Sequence, residues 1–311
     1  MTTSSRKLAR AAIGFGLSFL PVASSPAQAT ALQVTSANPR GPLPSSSKHM
    51  LFRVRGPNGA TLYLLGSVHL LSQDAATLPP EVDSAFDHAK TVSLETSLDS
   101  IAMRAQELMM RGRFSNGATL RSTLSPSALP KVDSLLRSYG LTLDQVNGFK
   151  PWFVSMLLSQ VAMQRMGFQS QYGVDMQLNA RAKQAGKPVL GLETPDFQLG
   201  LFDGLSVADQ EQMLVDGTPP AQAARDLATI RDAWAIGNVG ALDSLLNRRL
   251  DTAPGLRTAL LTNRNRNWIP KLEQMIKGSD DALVVVGAGH LVGKDGVIEL
   301  LRAKGYTVEQ M

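Results

Sequence analysis

Two short apolar runs in this sequence end in the same motif, a glycine followed three positions later by a histidine. ALVVVGAGH ends at His290, and TLYLLGSVH ends at His69. Short apolar runs bounded by glycines are typical of strands that are buried on both faces, as in a parallel sheet. The carboxyl ends of such strands usually carry the sites of open α/β sheets. Because the chain has only four histidines, the repeat predicts an α/β fold with a functional site at His69 and His290.

The glycines of this motif, Gly66 and Gly287, have two possible roles. They allow the backbone to turn sharply, or they allow a bound group to approach the main chain closely. The second role makes both glycines candidates for contact with a cofactor. The alternative is that they serve tight turns only and that the two histidines form hydrogen bonds to neighbouring loops.

A second repeat concerns acidic residues. The predicted strands at 91–95 and 187–193 both end in a glutamate followed by a threonine, at Glu95 and Glu193. A carboxylate at the end of a buried strand is costly unless it is paired or bound to a metal. Together with the paired histidine motifs, this repetition predicts a central mixed sheet built from two half-repeats that face one crevice.

The remaining elements follow from local patterns. A turn signal at 56–59 joins strand-like runs and predicts a β-hairpin that leads to His69. Helical patterns predict a large insertion at about 98–170 and further helices through 206–277. Methionine adapts to varied shapes, so the methionines of the insertion either line an apolar peptide-binding cleft or belong to the core. These are Met103, Met109, Met110, Met156, Met163 and Met166.

The amino terminus has the layout of a secretory signal. Residues 1–29 combine a basic start, an apolar stretch and Ala27-Gln28-Ala29, which fits cleavage after a small residue. Residues 30–48 are rich in Ser, Thr, Pro and Ala and are typical of a disordered linker, so we expect a single domain over 49–311. The sequence therefore predicts a periplasmic or secreted protein, with an uncleaved amino-terminal anchor as the alternative.

Charge and cysteine content narrow the classes of partner. The formal net charge is +5, but Arg6, Lys7 and Arg10 lie in the predicted signal and leave +2 for the mature chain. We therefore expect no nucleic-acid partner and, after signal cleavage, no stable membrane span; the oligomeric state stays open. The absence of cysteine excludes disulfides, thiolate metal sites and a cysteine nucleophile.

Two histidines and a glutamate at strand ends are suitable ligands for a divalent metal. Imidazole nitrogen and carboxylate oxygen bind zinc, manganese, iron or cobalt, and a site of His69, His290 and Glu95 would leave positions open for water and a carbonyl. A spare carboxylate would then act as general base.

Three more residues are candidates for catalysis. Arg264 and Asn265 would supply donors to an oxyanion. Glu193 is either catalytic or paired structurally with Arg264. The sequence contains no His-Glu-x-x-His, Gly-x-Ser-x-Gly, Walker or Gly-x-Gly-x-x-Gly motif in the context that such sites need, which argues against the familiar hydrolases and nucleotide-binding proteins.

Five stretches carry a resemblance to a known family. They are LYLLGSVHLL, LPPEVDSAFDHAKTVSLET, YGVDMQLNARAKQAGKPVLGLET, RNRNW and VVVGAGHLVGKDGVIELLRAKGYTVEQ. Over about residues 50–310 they resemble the TraB/GumN family, which is similar to the Tiki metalloproteases and distantly like the erythromycin-esterase and ChaN haem-binding folds.

The resemblance implies an α/β fold with a helical insertion and a site at corresponding positions. The family's paired Gly-x-x-His motifs fall at His69 and His290, its acidic position at Glu95, and its Arg-Asn pair at Arg264 and Asn265. Tiki proteins are regarded as proteases that depend on manganese or cobalt, whereas GumN members are associated by name with exopolysaccharide gene clusters. One departure is Asn263, where the family often has an acidic residue.

The sequence therefore supports one main hypothesis and two alternatives. The main hypothesis is an exported metal-dependent hydrolase of the peptidase class, with manganese or cobalt as the expected metal and a peptide or protein as the substrate. One alternative is a noncatalytic periplasmic protein that binds haem, a peptide or a glycan in the same crevice. The other is an accessory protein of polysaccharide biosynthesis that acts through interaction.

Overall fold

The computed structural model describes residues 48–69, 71–73, 76–99 and 104–311. The predicted signal peptide, all of the predicted linker except its last residue, and Met103 lie outside the described residues. Within them, six strands form one sheet in the order β4-β3-β5-β2-β1-β6. The strands are β1 Leu51–Arg55, β2 Thr61–Ser67, β3 Thr91–Leu94, β4 Val189–Gly191, β5 Ala282–Gly287 and β6 Val308–Gln310.

The sheet is mixed, as the repeats predict. β5 pairs in parallel with both β2 and β3, and β3 pairs in parallel with β4, while β1 is antiparallel to β2 and β6. β5 is buried along nearly its whole length, as a central parallel strand must be when helices cover both faces. The two strands that lead to histidines are therefore neighbours, and so are the two that lead to glutamates. The α/β prediction is confirmed.

Helices connect and cover these strands. They are α1 Pro80–His88, α2 Ala105–Arg111, α3 Leu120–Thr123, α4 Leu129–Ser138, α5 Leu143–Val146, α6 Pro151–Arg165, α7 Val174–Gln184, α8 Pro195–Gly200, α9 Val207–Val215, α10 Pro220–Ala235, α11 Val239–Leu242, α12 Pro254–Arg257, α13 Asn263–Lys277, α14 Ala288–Leu291 and α15 Val297–Ala303. Asp243–Asn247 and Thr258–Thr262 have π-helical turns, and Ser170–Tyr172 and Arg248–Thr252 have 3-10 turns.

The predicted hairpin is present and its turn depends on two glycines. Gly59 has a φ of +88°, a conformation that side chains rarely adopt. At Gly56 an added Cβ would lie 1.8 Å from the carbonyl oxygen of Ile276, so only glycine lets the turn pack against α13. β2 continues to Ser67, beyond the predicted end, because its last residues pair with Val286 and Gly287.

Two predicted strands differ from the observed ones. β4 is confined to Val189–Gly191 instead of 187–193, because the Lys187 amide donates to the Ala182 carbonyl at the end of α7. The Lys187 ammonium donates to three carbonyls at the end of α1. β6 begins at Val308 instead of Tyr306, because the Tyr306 amide donates to Leu301 and closes α15.

The core is divided between the sheet and a layer of helices. The largest apolar cluster surrounds the sheet and includes the buried residues of all six strands except β4. Two further clusters join α2–α6 to helices from 195–262, through residues such as Leu214, Phe202 and Leu260. The helical layer thus takes in 195–262 in addition to the predicted insertion, and it supplies the cavity walls described below.

No helix in the described ranges combines the length and apolar character needed to cross a membrane.

Candidate functional site

The carboxyl ends of β2, β3 and β5 bring the repeated motifs together. His69 follows β2, Glu95 follows β3, and His290 lies in α14 directly after β5. The parallel register aligns these ends, since Ser67 is opposite Gly287. α13 then runs beside this edge and presents Arg264 and Asn265, both buried, from its first turn. The predicted site residues therefore form one cluster.

His69 is oriented by a residue that the sequence analysis did not single out. Its Nδ1 lies 3.1 Å from Oδ2 of Asp175, a buried carboxylate in the first turn of α7. The start of α7 is tied to the histidine loop, because the Val174 amide donates to the Val68 carbonyl at 3.1 Å. At Gly173 an added Cβ would lie 2.2 Å from the His69 carbonyl oxygen, so this contact needs glycine.

The pKa of His69 is raised to about 9. Burial alone would lower this pKa, but the charge of Asp175, its hydrogen bond and the charge of Glu95 together outweigh burial. Its Nε2 has no hydrogen-bond partner among the described residues, and the residue lines a cavity. The site thus stabilises positive charge at His69 Nε2.

Glu95 is held as a carboxylate. Its Oε1 accepts from the Gly287 amide at 2.8 Å, and its Oε2 accepts from Arg264 Nη2 at 2.6 Å. Burial raises the pKa of Glu95, but the charges of Arg264, His290 and His69 outweigh it and keep that pKa well below its usual range. Glu95 is therefore ionised at neutral pH despite being buried.

His290 is held neutral between two partners. Its Nε2 lies 3.0 Å from Arg264 Nη1, and because a guanidinium can only donate, Nε2 accepts. The proton is therefore on Nδ1, which donates to Asn265 Oδ1 at 2.6 Å. Burial and the charge of Arg264 lower the pKa of His290 to about 3. The Trp268 ring packs against the imidazole with centroids 4.6 Å apart.

Arg264 joins the acidic and basic members of the cluster. Besides Glu95 and His290, it donates from Nε to Glu193 Oε1 at 2.8 Å and from Nη2 to Glu193 Oε2 at 2.8 Å. Its Nε also contacts Glu193 Oε2 at 3.1 Å, and its Nη1 donates to the Leu260 carbonyl at 3.3 Å. The guanidinium is thus engaged within the protein and in this arrangement does not point a free N–H at the cavity.

Glu193 and Asn265 have structural partners of their own. Glu193 also accepts from Trp268 Nε1 at 2.9 Å and from Gln198 Nε2 at 3.0 Å, which satisfies both carboxylate oxygens. Asn265 donates to the Asp295 carbonyl at 2.8 Å while it accepts from His290. These contacts fit a positioning role for both residues. Asn263, the departure noted above, is exposed on α13 and lies outside the cluster.

The two motif glycines serve different purposes. An added Cβ at Gly287 would lie 3.2 Å from Glu95 Oε1 and 3.3 Å from His69 Nε2, so this glycine leaves space between the two donor atoms. At Gly66 a Cβ would meet the Ala288 Cα at 3.1 Å, and the Gly66 carbonyl accepts from Trp234 Nε1 at 2.7 Å. Gly66 therefore packs β2 against α14, and only Gly287 faces the cavity.

A cavity of about 120 Å³ lies above the cluster. His69, Glu95 and His290 form part of its floor. Its walls are mainly apolar side chains from the helical layer and the loop before α7, including Met156, Met163, Phe168, Phe202, Met213, Leu227, Ile230 and Leu261. Two of the methionines assigned above to a cleft or core, Met156 and Met163, therefore line it, whereas Met109 and Met110 are exposed.

Two donor atoms of the cluster, His69 Nε2 and Glu95 Oε1, are of types that divalent cations bind. Glu95 and Glu193 contact the guanidinium of Arg264 and Asp175 contacts His69, so the cluster holds three carboxylates and one guanidinium. His69 Nε2 and Glu95 Oε1 would lie 3.3 Å and 3.2 Å from a Cβ on Gly287, so both atoms border the same space, whereas His290 Nε2 accepts from Arg264. Accordingly, within the described ranges no three His, Asp or Glu side chains converge as metal ligands.

Comparison with known proteins gives the family of the chain. Residues 50–310 match the TraB/PrgY/gumN family along nearly the whole described domain. The chain belongs to this family.

Among its relatives is YbaP of Escherichia coli (strain K12), which is 26% identical over 248 residues, covering 79% of this chain and 89% of YbaP. A protein of Treponema pallidum (strain Nichols) is 25% identical over 291 residues, covering 85% of this chain and 84% of that protein. No solved structure gives a significant match. These comparisons show the family of the chain and assign no reaction to it.

Proposed function

We propose that this member of the TraB/PrgY/gumN family is a metal-dependent hydrolase that cleaves peptide bonds at the cavity floor. The observation that carries the proposal is His69, whose Nδ1 is held by Asp175 while its Nε2 faces the cavity beside Glu95. An imidazole oriented by a buried carboxylate is the usual arrangement around catalytic metals.

The raised pKa of His69 supports a cation at this position. The charges of Asp175 and Glu95 favour positive charge at Nε2, which a proton supplies in the metal-free protein. A divalent cation, manganese or cobalt in our proposal, would displace that proton and be held by His69 Nε2 and Glu95 Oε1. When bound, it would polarise a substrate carbonyl and lower the pKa of water.

The surrounding residues hold these two donors in place. Asp175 accepts the Nδ1 proton of His69 and so directs the Nε2 lone pair into the cavity. The Gly287 amide fixes Glu95 Oε1, and Arg264 keeps the carboxylate ionised. Arg264 and Asn265 also hold His290 neutral. In this proposal they act as positioning residues, and Glu193 acts by orienting Arg264.

The cavity walls support a peptide with a bulky apolar side chain as the substrate. Methionine and phenylalanine side chains accept varied apolar shapes and exclude bulk water from the charged floor. In the reaction, water adds across the amide: its oxygen forms a bond to the carbonyl carbon, the carbon–nitrogen bond breaks, and the leaving nitrogen gains a proton. A carboxylate and an amine are the products.

The proposal predicts metal-dependent cleavage that His69 controls. The purified mature chain is incubated with a peptide mixture, with added manganese or cobalt or with a chelator, and the products are identified by mass spectrometry. We expect cleavage next to Leu, Met or Phe, with loss of activity on the order of 10²-fold or more in His69→Ala. Elemental analysis is expected to find bound metal in the native chain and much less in the variant.

His88→Ala is the matched control, because His88 is exposed on α1 and distant from the cluster in the fold. It should retain cleavage and metal. If cleavage persists in chelator but is lost in His69→Ala, the protein is a hydrolase that does not depend on a metal. A folded chain with neither metal nor cleavage would refute the proposal and favour a binding or assembly role.

A further inference from the structure

Ser67 is a buried polar residue that the proposed function does not yet use. It is the last residue of β2, two positions before His69, and it lines the same cavity. Its side chain is buried, with 2% of the residue exposed, and its Oγ has no hydrogen-bond partner among the described residues. Burying an unpaired hydroxyl is unfavourable, so such a group in a cavity wall indicates a partner supplied by a ligand.

The position of Ser67 distinguishes it from other buried hydroxyls. In the described ranges, the hydroxyls of Ser72, Ser93, Thr96 and Thr218 are also buried without a partner, but none of these residues lines the cavity. Ser67 is opposite Gly287 in the β2–β5 register, and the Gly287 amide holds Glu95. Ser67 therefore lines the cavity opposite the residue whose amide holds Glu95, in the same cavity as His69.

Ser67 fits the role of a donor better than that of a nucleophile. A serine nucleophile needs a base within hydrogen-bond distance, and no hydrogen bond joins Ser67 to His69 or to any other described side chain. A hydroxyl can donate its one proton to an acceptor on a ligand. In an uncharged peptide with apolar side chains, the strong acceptors are the carbonyl oxygens.

We propose that Ser67 Oγ donates a hydrogen bond to a carbonyl oxygen of a peptide bound in the cavity, and so contacts the substrate at the bond that is cleaved. The inference rests on the proposed function for the identity of the ligand. The hydroxyl forms and breaks no covalent bond in this role. It binds the carbonyl and stabilises the negative charge that develops on its oxygen when water adds.

The first test is kinetic. Ser67→Ala is compared with the native chain on the best peptide of the cleavage screen. We expect kcat/KM to fall by about 10- to 100-fold, mainly in kcat, because the bond strengthens as the oxygen becomes negative. Ser67→Thr, which restores a hydroxyl, should recover part of the loss. A purely structural role would not give this recovery or this division between kcat and KM.

The matched control is Ser93→Ala. Ser93 is a fully buried serine in β3 whose hydroxyl is equally unpaired, but it does not line the cavity. Its variant should cleave the peptide at the native rate. Both alanine variants should melt within a few degrees of the native chain, since neither loses a hydrogen bond. A melting temperature much lower for Ser67→Ala alone would show a structural partner and overturn the proposal.

The second test measures binding without cleavage. N-acetyl-trileucine amide is titrated by calorimetry into the chelator-treated native chain, Ser67→Ala and Ser93→Ala. We expect the Kd to rise about two- to threefold in Ser67→Ala only, because the hydrogen bond to a neutral carbonyl is weaker than the bond to the developing oxyanion. If the native chain binds the peptide but cleaves nothing, the hydrolase proposal fails. A higher Kd in Ser67→Ala alone would still support the hydrogen bond from Ser67 to the peptide. Equal affinity in all three proteins, or no binding by any, overturns the inference.

Discussion

Replacing Arg264 by methionine is expected to destabilise the protein by about 3–5 kcal/mol, because the substitution leaves two buried carboxylates without their counter-charge. In the native chain, Arg264 Nη2 contacts Glu95 Oε2 at 2.6 Å and Glu193 Oε2 at 2.8 Å. Methionine keeps most of the side-chain volume but removes every donor. Urea unfolding of the metal-free proteins, followed by circular dichroism, measures the difference.

Arg53→Met is the control for this substitution. Arg53 pairs with Glu309 at 2.6 Å at the sheet edge, and the Glu309 side chain is 49% exposed, so its loss should cost less than about 1 kcal/mol. If Arg264→Met were no more destabilising than Arg53→Met, the Glu95–Arg264–Glu193 cluster would not be formed in solution.

The difference in unfolding free energy between the native chain and Arg264→Met should also depend on pH. The folded-state pKa of Glu95 lies below its ordinary value of 4.5, so its contribution to native stability is present above that pH and lost as pH falls. Arg264→Met lacks the charge that lowers this pKa. The unfolded state contributes equally in both proteins, so their difference in unfolding free energy should narrow as pH falls through the higher pKa that Glu95 has in the variant.

Asp175→Asn is expected to lower cleavage and metal affinity by about 10- to 100-fold without unfolding the chain. An amide does not supply the negative charge that stabilises positive charge on His69, and it no longer fixes the tautomer with Nε2 free. The half-buried Asp133, which pairs with Arg137 on α4, provides the control Asp133→Asn, which should behave as the native chain. Peptide cleavage and elemental analysis measure both effects.

The same substitution should lower the pKa of His69 below its native value of about 9. Because the folded pKa exceeds the ordinary 6.5, native His69 contributes stability that is complete below pH 6.5 and lost as pH rises through 9. Asp175→Asn should lack this loss. Histidine titration by NMR on the chelated proteins reports the pKa directly, and an unchanged value in the variant would contradict the assigned role of Asp175.

The paired motifs made much of the fold predictable. Apolar runs bounded by glycines indicated buried parallel strands, and β2 and β5 are neighbours in the sheet. Parallel strands end at one edge, so this pairing alone brings His69 and His290 to the same side. The α/β class and the family are confirmed, whereas metal binding and hydrolysis stay predictions.

Contacts between distant segments could not be predicted in the same way. Asp175 lies 106 positions from His69, and an acidic residue in a first helical turn is common for reasons unrelated to catalysis. The local sequence showed Arg264 as a possible oxyanion donor but gave no sign that Glu95, Glu193 and His290 would engage its N–H groups. The cavity walls likewise depend on how the helices of 195–262 pack.

Glu95→Gln tests the central claim most directly, since it changes one oxygen of the proposed reaction centre and keeps its shape. The measurement is the rate of cleavage of one defined peptide, with metal content and circular dichroism on the same samples. We expect a folded variant with little bound metal and a rate lower by on the order of 10²-fold or more. A folded variant that cleaves within about threefold of the native rate would contradict that claim.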